Sequence, residues 1–219
     1  MHTLFNPENK FWNFMGKITD VACMSILWLI TSLPIFTIGA STAAFYSFTL
    51  DAVQDMEGGV WQSYFSAFRE NFKKSTLIWL MQLLLLVFLT VNLYAAWNFY
   101  LAKGVVGLGV LSMALCGLIL VAGAGVYVYP VLVCYDFPVK KILTDSLVMA
   151  VRNPHVTISV LLLFALVGVG VYFISGLFFF WFGLGVFFSS YFIWGLFLKL
   201  AGVKVPPKKK KKKNLDPYL

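Results

Sequence analysis

Residues 75–102 read STLIWLMQLLLLVFLTVNLYAAWNFYLA and contain no Asp, Glu, Lys or Arg. After the single Lys103, residues 104–135 read GVVGLGVLSMALCGLILVAGAGVYVYPVLVCY and again contain none. An apolar helix needs roughly 20 residues to cross the hydrocarbon core of a bilayer, and each run exceeds that. Together they predict two spanning helices joined by a short turn at Lys103. Two further uncharged windows cover residues 21–50 and 153–198. The second is too long for one helix and suits two of about 20 residues, parted near Ser175 and Gly176, where small residues permit a sharp turn.

The window at 21–50 is interrupted by Pro34 and Gly39. Its first part is strongly apolar, whereas residues 39–50 (GASTAAFYSFTL) are small and hydroxyl-rich. It reads as one span followed by an interfacial helix, as a re-entrant segment, or as a full hairpin whose second arm is buried among other helices. Charge arbitrates, because cytoplasmic loops are enriched in Lys and Arg. Six spans with the N-terminus inside place Lys10, Lys17, Arg69, Lys73, Lys74, Lys140, Lys141, Arg152, Lys199, Lys204 and the lysine run of the tail on the cytoplasmic side, leaving only Lys103 outside. Five spans would move Lys10 and Lys17 out. The expected fold is therefore all-α: a polytopic transmembrane helical bundle of about six spans in three hairpins. Pro34 ends or kinks the first span by removing a helical hydrogen bond. Small residues let backbones approach, so Pro34, Thr37, Gly39, Ser41 and Ala44 form a candidate helix-packing motif inside the bundle.

Two basic amphipathic segments complete this fold class as cytoplasmic helices. In the first, Trp61, Tyr64, Phe65, Phe68 and Phe72 recur at helical spacing among Arg69, Glu70, Lys73 and Lys74, after a bend at Gly58 and Gly59. In the second, Ile142, Leu143, Leu147, Ala150 and Val151 share a face away from Lys140, Lys141, Asp145 and Arg152. They either anchor loops among lipid headgroups or dock another subunit. Trp61, Phe65, Phe68, Phe72, Lys140 and Arg152 are the candidate docking residues. Residues 1–205 form the transmembrane domain, and 206–219 a disordered polybasic cytoplasmic tail. In that tail Lys208, Lys209, Lys210, Lys211, Lys212 and Lys213 have no apolar partners. Anionic headgroups of membrane lipids are their expected partner, at about 1 kcal/mol per lysine. Without a folded module around them, nucleic acid is not.

Of 219 residues 60% are hydrophobic and only 12% charged, against roughly 25% charged in a soluble domain. The N-terminal stretch lacks the order of a signal peptide, so the first span is expected to stay in the mature chain. Cys23, Cys116 and Cys134 lie in or beside apolar windows without C-x-x-C spacing and read as reduced packing residues. His2 and His155 stand apart, and neither a Walker A run nor a G-x-S-x-G elbow occurs. No enzyme, cofactor or metal is expected. The long windows also lack the ionisable residues that ion-coupled transporters keep at mid-membrane depth. Gln82, Thr90, Asn92, Asn98 and Tyr127 either line a path for a neutral solute or bond across helices.

Three segments carry a resemblance: residues 32–46 (SLPIFTIGASTAAFY), 57–76 (EGGVWQSYFSAFRENFKKST) and 129–157, with its YP, central KK and RNPHVT ending. The chain resembles the YesL-like family of Gram-positive bacterial integral membrane proteins, a domain of unknown function, over roughly residues 5–200. Its most specific part is P-x-x-T-I-G-A-S-T-A-A, residues 34–44. Members are commonly encoded near carbohydrate ABC importers and glycoside-degrading enzymes. The resemblance implies a multi-pass protein of the bacterial cell membrane, an accessory or regulatory subunit for oligosaccharide uptake, with importer permease subunits as partners. It implies no catalytic residues. The E-A-A motif of permease subunits is absent, so the chain departs from a standard permease half. A self-contained facilitator or exporter of a small neutral solute is the alternative.

Overall fold

The computed structural model describes residues 10–54 and 60–200. The bend expected at Gly58 and Gly59 and the tail at 206–219 lie outside the described residues. Every regular element among the described residues is helical: α1 (Lys10–Thr31), α2 (Ile38–Val53), α3 (Val60–Lys103), α4 (Val105–Cys134), α5 (Val139–Arg152), α6 (Pro154–Phe173) and α7 (Phe178–Leu200). Short 3₁₀ turns at Ile35–Thr37 and Ser175–Leu177 connect α1 to α2 and α6 to α7. Against the six spans expected from sequence, four helices among the described residues are long and apolar enough to cross a membrane: α3, α4, α6 and α7. With 16 residues, α2 rises only about 24 Å, short of a ~30 Å hydrocarbon core.

Helix α3 has 44 residues because nothing in its sequence stops it. No Gly or Pro occurs between Val60 and Lys103, and the Ser75 hydroxyl is absorbed by the Asn71 carbonyl one turn back, at 2.7 Å. The first amphipathic segment is therefore not a separate surface helix, as the sequence reading has it, but the N-terminal third of α3. The chain reverses at Gly104, whose φ of 54° suits a residue without Cβ. Gly107 then packs directly on the backbone of Phe99 and Tyr100. Beyond about Met81 on α3, and before Gly123 on α4, large apolar side chains such as Leu84, Phe88, Val91, Val106, Met113 and Ile119 are exposed. Such a surface is foreign to a protein standing free in water.

The core lies at the other end of that hairpin. Residues 39–50 of α2 are all buried, enclosed by α1, α3, α4 and α7. Facing α2, the buried residues of α3 fall at helical spacing: Tyr64, Ala67, Asn71, Ser75 and Ile78. A Cβ on Gly39 would stand 2.5 Å from both the Ser75 carbonyl oxygen and the Trp79 Cβ, so only glycine fits there. Trp79 Nε1 donates to the Ile35 carbonyl at 2.8 Å, and Thr31 Oγ1 lies 2.6 Å from Tyr64 Oη. The α1–α2 turn is thus held beside Tyr64 to Trp79, next to Lys73 and Lys74. From Trp79 to the α3–α4 turn α3 continues for roughly 36 Å. The two hairpins are out of register by about the thickness of a membrane.

After α4, Lys74 pairs with Asp136 and reaches the Phe137 carbonyl, which ties the α4–α5 loop to α3. Helix α5 then runs back along α4, with Ile142, Ser146 and Ala150 buried at four-residue intervals. Its Ala150 and the Thr157 of α6 flank Gly123. The face expected from sequence is rotated: Leu147 and Val151 are exposed, because α4 takes the Ile142 side. Helices α6 and α7 form the last hairpin, with Gly170 against the Trp181 ring and Gly185 against Phe164 and Val167.

Candidate functional site

The residues of the expected packing motif fall at and just after the α1–α2 turn. Pro34 is exposed and opens the 3₁₀ turn, where Thr37 Oγ1 donates to the carbonyls of Thr31 and Pro34, each at 2.6 Å. Thr37, Gly39, Ser41 and Ala44 are buried. Their neighbours on α2 meet a seam of hydroxyls on α7: Thr49 Oγ1 is 2.8 Å from Ser190 Oγ, and Tyr46 Oη is 3.2 Å from Ser189 Oγ. On α1, Trp28 Nε1 donates to Thr42 Oγ1 at 3.2 Å, and its ring stacks on Phe182. A buried polar group costs free energy unless it is paired, so these bonds fix how α2 is rotated about its axis. The Ser189–Ser190 pair was missed in the sequence because it sits in an aromatic run; two adjacent serines in such a run are the signal that could have found it.

The neutral polar residues singled out on α3 and α4 do not converge. Tyr129 Oη donates to Gln82 Oε1 at 3.0 Å, and Tyr127 Oη lies 3.0 Å from Thr157 Oγ1. Thr90, Asn92 and Asn98 each donate to a carbonyl four residues back on their own helix, on its exposed faces.

The candidate docking residues divide. Trp61 is 62% exposed and Phe65 39%. Phe68 packs against the core, its ring between those of Tyr64 and Phe72. Phe72 is half-buried. Lys140 and Arg152 are exposed at opposite ends of α5, and Arg152 is carried away from the first segment because α5 climbs along α4. No single surface holds all six. Lys208 to Lys213 lie outside the described residues. Among the described residues, Cys23, Cys116 and Cys134 form no disulfide. Among the described residues, no group of three or more His, Cys, Asp or Glu is placed to hold a metal ion.

Among the described residues these features define an all-helical arrangement with four helices of membrane-crossing length, whose core is built around a small, hydroxyl-rich helix. A family model described as a protein of unknown function, DUF624, matches residues 21–93. The match starts in α1, takes in the whole of α2 and runs well into α3, so it covers the α1–α2 turn and its seat on Ser75 and Trp79. No curated protein and no solved structure matches the chain.

Proposed function

We propose that this chain is a multi-pass protein of the bacterial cell membrane that acts by holding a partner, as an accessory or regulatory subunit of a carbohydrate ABC importer, and not by catalysis. The observation that carries this reading is the first three turns of α3. There Trp61 and Phe65 stay exposed beside Gln62, Ser66, Arg69 and Glu70, while Tyr64 and Ala67 behind them are already packed. Aromatic side chains backed by a rigid core and flanked by charge are the composition of an interaction anchor. The choice of an importer as partner rests on the family resemblance. Photo-crosslinking from position 61 or 65 in intact cells tests it: recovery of an importer permease subunit supports the proposal, and recovery of the chain alone sinks it.

In the topology that goes with this reading, α3, α4, α6 and α7 cross the bilayer and both termini face the cytoplasm. Helices α1 and α2 enter from the cytoplasmic side and turn back without reaching the far face. The support is the seat of the α1–α2 turn beside Ser75, one residue from Lys74. A turn so close to the lysines of α3 stays on their side of the membrane. Zero or two crossings by α1 and α2 leave Lys17 on the same side as Lys73, so the charge asymmetry is met equally. The facilitator alternative needs Thr90, Asn92 and Asn98 on a common path, and these bond to their own helix instead.

A further inference from the structure

Between Phe88 and Lys103 the only residues of α3 that are not exposed are Leu89, Leu93, Ala96 and Tyr100, all on one face. Tyr100 lies against Gly107, so that face is the one α4 covers. The rest of this half of α3 is uncovered among the described residues, and three amide or aliphatic hydroxyl groups stand on it. The Thr90 hydroxyl is spent on the Leu86 carbonyl, and Asn98 lies about 7 Å from the level of Lys103, among headgroups. Asn92 differs. Lys74 and Lys103 stand about 44 Å apart along α3, the thickness of a bilayer with its headgroup regions, which puts Asn92 inside the hydrocarbon. Its Nδ2 gives one hydrogen to the Phe88 carbonyl at 2.8 Å, while the second hydrogen and Oδ1 have no partner among the described residues. An amide so placed is costly in lipid, and spanning helices relieve that cost by bonding to one another.

We propose that this face packs on α3 of a second copy of the chain, with Asn92 meeting Asn92 of that copy on a two-fold axis. Phe88, Asn92, Ala95, Phe99 and Ala102 are all exposed and alternate at intervals of four and three residues, the spacing of a seam between two parallel helices. Two copies inserted in one membrane hold α3 parallel and at equal depth, so a two-fold contact brings each residue of the seam against itself. A carboxamide is donor and acceptor at once and is its own complement, and a single Asn in such a seam fixes register. Neither lipid nor the chain's own remainder offers this: acyl chains have no partner for an amide, and residues 1–9, 55–59 and 201–219 hold no apolar run of spanning length. The inference rests on the membrane-crossing reading of α3 and α4, and not on the importer, whose proposed contact at Phe65 lies about 40 Å away along α3.

The test uses the full chain with its three native cysteines replaced by alanine and one cysteine restored at a time, oxidised in native membranes. With Asn92 kept, Phe88→Cys and Ala95→Cys should give a product of twice the chain mass, and Tyr94→Cys, which points away from the seam, should not. Energy transfer between labelled copies diluted in lipid vesicles should show Asn92→Leu dimerising roughly tenfold more weakly than wild type, and Asn92→Gln, which keeps the amide, falling between them. No seam product, equal products at Tyr94 and Ala95, a seam product of some other mass, or Asn92→Leu associating like the wild type would each overturn the proposal. A chain that stays in solution without detergent would instead sink the membrane reading beneath it.

Discussion

Replacing Gly39 by Ala tests the central packing of the fold with a single methyl group. The new Cβ would lie 2.5 Å from the Ser75 carbonyl oxygen and 2.5 Å from the Trp79 Cβ, whereas ordinary contact begins near 3.4 Å. Neither neighbour is the free end of a side chain. The oxygen belongs to the α3 backbone and the Cβ is fixed to it, so relief requires α2 to move off α3 by about 1 Å. That movement would loosen the Trp79 bond to the Ile35 carbonyl and the packing of Thr37 and Ser41. Overpacking of this kind costs about 1–3 kcal/mol. For a chain of this length the cost should lower Tm by about 4–8 °C at the middle of that range. Gly117→Ala is the control: nothing lies within 4 Å of a Cβ there, and alanine in a helix interior should leave Tm unchanged or raise it by up to about 1 kcal/mol of stability. Melting in detergent, followed as loss of the monodisperse peak in size exclusion, reads both. If Gly39→Ala melts with the wild type, the close seat of α2 on α3 is wrong.

Loss of the Thr49 hydroxyl in Thr49→Val should destabilise by about 1 kcal/mol, because Ser190 loses its partner on α2 and keeps only the Val186 carbonyl on its own helix. Ser190→Ala should cost less in the Thr49→Val background than by itself, so additive effects in a double-mutant cycle would refute the pairing. Among the described residues the Ser146 hydroxyl is buried without a partner, so Ser146→Ala should hold or raise Tm, and a drop of several degrees would reveal an acceptor for it. A single cysteine placed at Phe36, in a chain freed of its three native thiols, should react with a membrane-impermeant maleimide only in inside-out vesicles. Labelling of intact cells would restore the six-span topology. Trp61→Ala should leave Tm within about 1 °C of wild type while lowering recovery of the proposed partner, whereas Phe68→Asp should unfold the chain, since Phe68 packs on the core.

Much of the helical plan was legible because lipid imposes a simple rule: a run without charge and longer than the hydrocarbon core is a candidate span. Residues 75–135 and 153–198 obey it, and α3, α4, α6 and α7 lie where those runs fall, with turns at Gly104 and at Ser175–Leu177. The small, hydroxyl-rich stretch at 39–50 also marked itself as unlike a lipid-facing helix. What hydropathy does not encode is depth. It could not tell that α3 begins 15 residues before its apolar run and carries Tyr64 into the core, nor that Gly39 seats the α1–α2 turn against Ser75 instead of a membrane thickness away. The rotation of α5 and the hydroxyl pairs between α2 and α7 were equally silent. Composition is a property of each residue and survives in the sequence; register and pairing depend on which atoms of distant segments meet, and only the packed chain decides that.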